Sequence, residues 1–315
     1  MKELLKILID NKDWLFSGVG ISVVVLFYTI IKETRQSKNK NEISVDNKPT
    51  EVDYEKMTQK EEENSPIRNV VRRFVMVYEV HGIAQTQIPF FIDKEFGLQL
   101  KDFKDEGSIL HILNDDLIVW TCDKFGIQRE WIEGTTNSIY PHVDYYKKVH
   151  AFIKDICTLD KSAIDVIAFK SEKLKLKENH RHCIVLLIRI PIDTLNSKII
   201  YKYVPISTLW DWGYWRSRYQ VKSIFYICEK LRINICGYDL RDKELLASGS
   251  CFPQKLMSKI PITVTWYPED YIDLPSQSCQ AKETEETPKI REYIKEQGYM
   301  DLLKDCEKKQ KISSW

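Results

Sequence analysis

The densest concentration of residues able to do chemistry is the run Trp210 to Tyr219, WDWGYWRSRY, continued by Lys222. Rings such as Trp212, Trp215 and Tyr219 stack on bases or hold a planar ligand, and Arg216, Arg218 and Lys222 pair with phosphate. The run therefore reads as a ligand or polyanion site. The same residues also fit a Trp-rich corner that seals a core and leaves its arginines in water. A second group, Trp266 to Tyr271, carries Glu269 and Asp270 side by side. Adjacent carboxylates on extended backbone point to opposite faces, so they make a poor acid/base pair. His180, His182 and Cys183 suggest a metal, but only the two histidines share a strand face and no second cluster completes four ligands. Asp165 with Glu172 and Lys173 echoes a metal nuclease core and supplies the enzymatic reading, a phosphate-handling activity in the C-terminal domain.

The phosphate-cradling and nucleophile-elbow patterns G-x-x-x-x-G-K-[ST], G-x-G-x-x-G and G-x-S-x-G are all absent. With 11 glycines in 315 residues, the chain has little material for a glycine-rich loop. No catalytic set, metal or cofactor is expected, and the reading leans away from an enzyme.

Charge is unevenly placed. The net value of +1 comes from 47 basic and 46 acidic residues. Residues 66–160 hold 11 basic and 14 acidic groups, whereas residues 161–280 hold 18 and 12. Polyanion affinity comes mostly from cations on phosphates, so any nucleic-acid contact is expected in the second segment and weak in the first. The eight cysteines include no C-x-x-C pair and sit in apolar runs, as free thiols of a reducing compartment do.

The elements that must position these groups follow from periodicity. In residues 66–160 the pattern is helical: Val70, Val71, Phe74, Val75 and Tyr78 before His81-Gly82, then Leu117 to Phe125 before Gly126. From 161 to 275 it changes. AIDVIAF, HCIVLLIRIPI and KIIYKYVPI are β-branched and read as strands. Residues 212–232 read as a helix, and INICGYDL and ITVTWYPEDYI as further strands. The order predicts an α+β domain at 161–280 with a mixed or antiparallel sheet, followed by a charged helical tail at 281–315.

Trp14 to Ile31 is an uncharged run of 18 residues, about 27 Å as a helix, with aromatic residues near both ends. It reads as an uncleaved transmembrane anchor at 1–31, preceded by an interfacial segment and followed by a flexible charged linker at 32–65. The free thiols place the C-terminal part in the cytoplasm, which makes the expected location the inner (cytoplasmic) membrane, single-pass.

Two stretches carry a family resemblance. His81-Gly82-Ile83-Ala84-Gln85-Thr86-Gln87-Ile88 looks like a helix entry of the form G-hydrophobic-S-Q-x-x-L, and Phe125-Gly126-Ile127-Gln128-Arg129-Glu130-Trp131-Ile132-Glu133-Gly134 looks like an L-G-V-S-x-x-W-L-x-G ending. At this spacing, residues 70–134 resemble the Cro/repressor-like (XRE-like) helix-turn-helix domains. The resemblance implies an all-α module in which Gln85, Gln87, Gln99 and Lys101 face DNA. Pro89 and the balanced charges of Leu98 to Asp105 depart from the family pattern and favour a protein partner over DNA. The expected function is a membrane-anchored regulator or sensor whose α+β domain binds a partner or ligand, by analogy with bacterial signalling or phage-defence proteins. The alternatives are the nuclease-like enzyme above and a membrane-tethered DNA-binding regulator.

Overall fold

A computed structural model describes residues 65–171, 174, 182–260, 263–272 and 286–305. Helix α1 (Pro66–Val80) opens on a proline, whose fixed φ and missing N–H suit a first turn. Its buried residues Val71, Phe74, Val77 and Tyr78 lie three or four positions apart, one stripe of the helix. The chain then passes through 3₁₀ turns at Gln85–Gln87, Lys94–Phe96 and Leu100–Phe103, with α2 (Ile88–Phe91) between the first two. Helices α3 (Glu106–Ile112), α4 (Asp115–Phe125) and α5 (Arg129–Glu133) follow. Asn114 caps α4 by accepting the Leu117 N–H at 2.9 Å, and Gly126, at φ +71°, stops it. A side chain at 126 would also meet Lys202 Cε at 2.5 Å, because Lys202 crosses there to donate to the Asp123 carbonyl.

After α6 (Val149–Cys157) comes the sheet: β1 (Asp165–Lys170), β2 (Cys183–Leu195), β3 (Lys198–Pro205) and the short β4 (Trp210–Asp211). Helix α7 (Trp215–Lys230) crosses over to β5 (Asn234–Asp239), and α8 (Lys243–Ala247), α9 (Pro253–Met257) and α10 (Thr287–Glu296) complete the named elements. The strand order is β3-β2-β1-β5, with β4 paired to the start of β2. β2 runs antiparallel to β1 and β3, while β5 is parallel to β1, which is why a helical crossover joins β3 to β5.

Alternation along the strands sorts the interior into two cores. Ile167 pairs with Leu187 and Phe169 with Val185, and these four face the helices α1 to α5 and α8–α9. Val166 pairs with Ile188 and Ala168 with Leu186, and they face α6, α7 and α10. The result is a helical region packed on one side of an α+β sheet domain. Both belong to one compact unit, Glu62–Trp315, and the first core draws on residues from Val71 to Leu256, so no break falls at residue 160.

Three sequence expectations change here. Among the described residues no helix is long and apolar enough to cross a membrane. The longest, α7, has 16 residues and carries Arg216, Arg218, Lys222, Glu229 and Lys230. A fold built on a transmembrane helix, and a single-pass placement in the inner membrane, are corrected accordingly; the expected anchor and linker lie outside the described residues. The family resemblance would put its recognition helix at Leu98 to Asp105, but that segment winds only as the four-residue 3₁₀ turn at Leu100–Phe103. Finally, Cys122, Cys183, Cys228, Cys236 and Cys251 are free, but Cys157 is disulfide-bonded, so the thiols are not all free.

Candidate functional site

A cavity of about 580 Å³ opens where β4 hands over to α7. One wall is the segment that follows β3. Its Ser207 N–H donates to the Val143 carbonyl at 2.7 Å, and Thr208 accepts the Tyr145 N–H at 3.0 Å while donating to Asp144 at 2.6 Å. Those bonds lash residues 143–148 across the cavity as a second wall. Lys147 there adopts φ +59°, an uncommon conformation for a side-chain-bearing residue, held by its N–H on Gln220 Oε1 at 2.8 Å. The third wall is the turn into α7. Asp211 accepts the Gly213 N–H at 2.8 Å, an Asx turn that aims the chain into the helix.

The start of α7 is electrostatically unfinished. Its N-cap residue is Tyr214, and no side chain caps the first turn. Uncapped helical N–H groups and the helix dipole present partial positive charge there. Ser217, in that first turn, lines the cavity; it is 1% exposed and its hydroxyl has no hydrogen-bond partner. A buried hydroxyl without a partner is costly, so a group binding there would meet a hydrogen bond waiting to be made. Arg216, one residue before Ser217, is exposed, lies over the Trp215 ring at 4.4 Å and donates to Tyr214 Oη at 3.4 Å. Lys147 and Lys148, which follow the lining residue Tyr146 in sequence, are also exposed.

Two carboxylates share the cavity, Asp144 and Asp211. Burial pushes the Asp144 carboxyl up, but bonds from the Thr208 hydroxyl, the Tyr146 N–H and Lys148 outweigh it and hold the group below the usual range. Asp144 is therefore an anion at neutral pH, and anions accept hydrogen bonds only. Tyr146, Tyr214 and Leu209 supply the apolar and aromatic surface.

No family model, curated protein or solved structure matches this chain. The site must stand on its own geometry.

That geometry divides the aromatic–cationic run singled out in the sequence. Trp215 and Arg216 stand at the surface. Trp212, Arg218, Tyr219 and Lys222 are buried. Arg218 donates to Glu286 at 2.6 and 3.1 Å and to the Trp212 carbonyl; Lys222, fully buried, reaches Glu286 at 3.0 Å and lies 5.0 Å from the Trp212 ring centre. Burial alone would raise the Glu286 carboxyl, yet Arg218 and Lys222 hold it below the usual range. These cations brace α7 against the C-terminal segment and are not offered to an outside polyanion.

The residues expected to face DNA are also scattered in role. Gln85 donates to the Phe103 carbonyl at 2.7 Å and Gln87 accepts the Ala84 N–H at 2.9 Å, so both bond neighbouring backbone. Gln99 and Lys101 are exposed on the 3₁₀ turn. Asp165 opens β1 and is clamped by Arg189 and Asn234. It lies roughly 16 Å of extended strand from the end of β1, so it stands far from the loop that follows. Glu172, Lys173 and His180 lie outside the described residues. His182 and Cys183 are buried, and the described residues contain no group of three or more metal-ligating side chains. Glu269 and Asp270 sit in a 3₁₀ turn, where burial raises Glu269. What sequence reading passed over was Asp144, Tyr146, Thr208 and Ser217. A signal existed only for the last segment: D-W-G before an apolar-periodic run marks an Asx turn entering a helix.

Proposed function

We propose that this chain is a non-catalytic ligand-binding protein of the sensor or regulator kind, whose α+β domain takes a small phosphate- or carboxylate-bearing ligand at the N-terminus of α7. The observation that carries the reading is the buried, partnerless hydroxyl of Ser217 in an uncapped first turn that opens on a cavity. Helix N-termini receive anions because their N–H groups and dipole act together. Lys147 and Lys148, next to the lining residue Tyr146, offset Asp144 and Asp211, and the partial positive charge of the helix end then tips the balance towards an anion. The helical region supports the sheet from its other face and would report occupancy to a protein partner.

An enzymatic reading has less to stand on. Asp165 is consumed by its bonds to Arg189 and Asn234, and the one hydroxyl–carboxylate pair in the cavity, Thr208 with Asp144, is spent on holding the Tyr145 and Tyr146 N–H groups. The test is a calorimetric titration of the full chain with inorganic phosphate and pyrophosphate. Saturable binding that weakens about tenfold in Ser217→Val is expected. Absence of saturable binding, or full retention in Ser217→Val, overturns the reading.

A further inference from the structure

We infer that the ligand of this cavity is a nucleoside monophosphate, seated with its phosphate at the N-terminus of α7, its ribose hydroxyls on Asp144 and Asp211, and its base between Tyr146 and Tyr214. The inference rests on the anion-binding reading above and asks what else the cavity demands. A bare anion satisfies only one end of it. At about 580 Å³ the space far exceeds a phosphate and falls in the range of small-molecule and cofactor sites.

The two carboxylates set the second requirement. Asp211 uses Oδ1 on the Gly213 N–H, and Asp144 uses Oδ1 on Thr208 and Tyr146, while Oδ2 accepts from Lys148 at 3.4 Å and retains a second lone pair. Each therefore keeps an oxygen that can accept from a ligand. Carboxylates beside an anion repel it unless the same molecule carries donors at that point, and ribose hydroxyls are donors one linkage away from a 5′-phosphate. The third requirement is a planar body. Tyr146 and Tyr214 line the cavity, Tyr146 with the Lys147 ammonium 5.3 Å from its ring centre, and stacking on such rings tolerates any base. An anion, vicinal hydroxyls and a planar ring in one molecule describe a ribonucleotide. A sugar phosphate meets two of the three requirements.

The experiment is a calorimetric series on the full chain with inorganic phosphate, ribose 5-phosphate, adenosine and uridine 5′-monophosphates, and their 2′-deoxy forms. Affinity should rise about tenfold from phosphate to ribose 5-phosphate and again to the nucleotides, and fall about tenfold in the deoxy forms. Asp211→Asn should lose about tenfold for nucleotides while leaving phosphate binding unchanged or tighter. Should Asp211→Asn fail to fold, as judged by its melting curve, Tyr146→Ala serves instead and should weaken nucleotides but not ribose 5-phosphate. Nucleotides that bind no tighter than phosphate overturn this inference and leave the anion site standing. Deoxy forms that bind equally well, or ribose 5-phosphate that matches the nucleotides, also overturn it. If neither phosphate nor nucleotides bind, both readings fall together.

Discussion

The two faces of the sheet solve the burial problem differently. Against the helical region, the core is almost wholly apolar and aromatic: Phe125 is packed by Tyr78 at 5.2 Å, Phe91 at 5.7 Å and His81 at 4.4 Å. His81, the ionisable group in that cluster, is kept neutral by its surroundings. Against α7 the core contains Arg218 and Lys222, answered by Glu286 from the chain's last described segment. Apolar packing is non-directional, so many arrangements of the first face would serve. Buried charges tolerate only the geometry that pairs them, and so they fix α7 in position. The face that needs a positioned helix end is the one bearing the cavity.

The comparison yields a ranked set of outcomes. Phe125→Ala should cost the most, about 4 kcal/mol in urea unfolding, because a fully buried ring leaves a hole in a rigid cluster. A loss under about 1 kcal/mol would mean that face can collapse freely. Next, Glu286→Ala should cost about 3 kcal/mol by removing the carboxylate that Arg218 and Lys222 share. Near-neutrality would show that the charges do not fix α7 after all.

Acid should separate the faces. Burial lowers His81 from an ordinary 6.5 to about 4, so the unfolded chain takes up a proton that the folded chain refuses. Stability is complete above the unfolded value and falls as pH drops from 6.5 towards 4, by about 2 kcal/mol between pH 7 and pH 5. His81→Gln should flatten that window. Glu286 is depressed instead, so the stability it contributes is present above the ordinary carboxylate range and disappears at lower pH, as the group protonates. Urea midpoints from pH 7 to pH 3 would resolve the two steps, and a single step shared by both variants would merge the faces.

Smaller effects lie outside the cores. Gln85→Ala should cost about 1 kcal/mol by freeing the Phe103 carbonyl. Arg216→Ala should cost about 0.5 kcal/mol or less in stability, since its pairing with Trp215 is exposed.

Much of this fold can be read from the sequence because its signals are local. The β-branched runs at 165–170 and 183–195, the stop at Gly126 and the amphipathic stripe of α1 each follow from residues within one or two turns of one another. Even the split within α7 is half visible, since Arg218 and Lys222 stand four apart on one side and Arg216 falls elsewhere on the helix. The sequence leaves open which side is covered. That was decided by Glu286, 64 residues beyond Lys222, which arrives with the C-terminal segment to neutralise the pair. The winding of 98–105 was likewise settled from a distance: the Gln85 side chain takes the Phe103 carbonyl and helps hold a 3₁₀ turn where the family resemblance implied a helix. The cavity is the extreme case, because Asp144, Thr208 and Ser217 come from three segments and none belongs to a motif. Hydrophobic periodicity is written along the chain, whereas the pairing of polar groups is a property of what tertiary packing brings together.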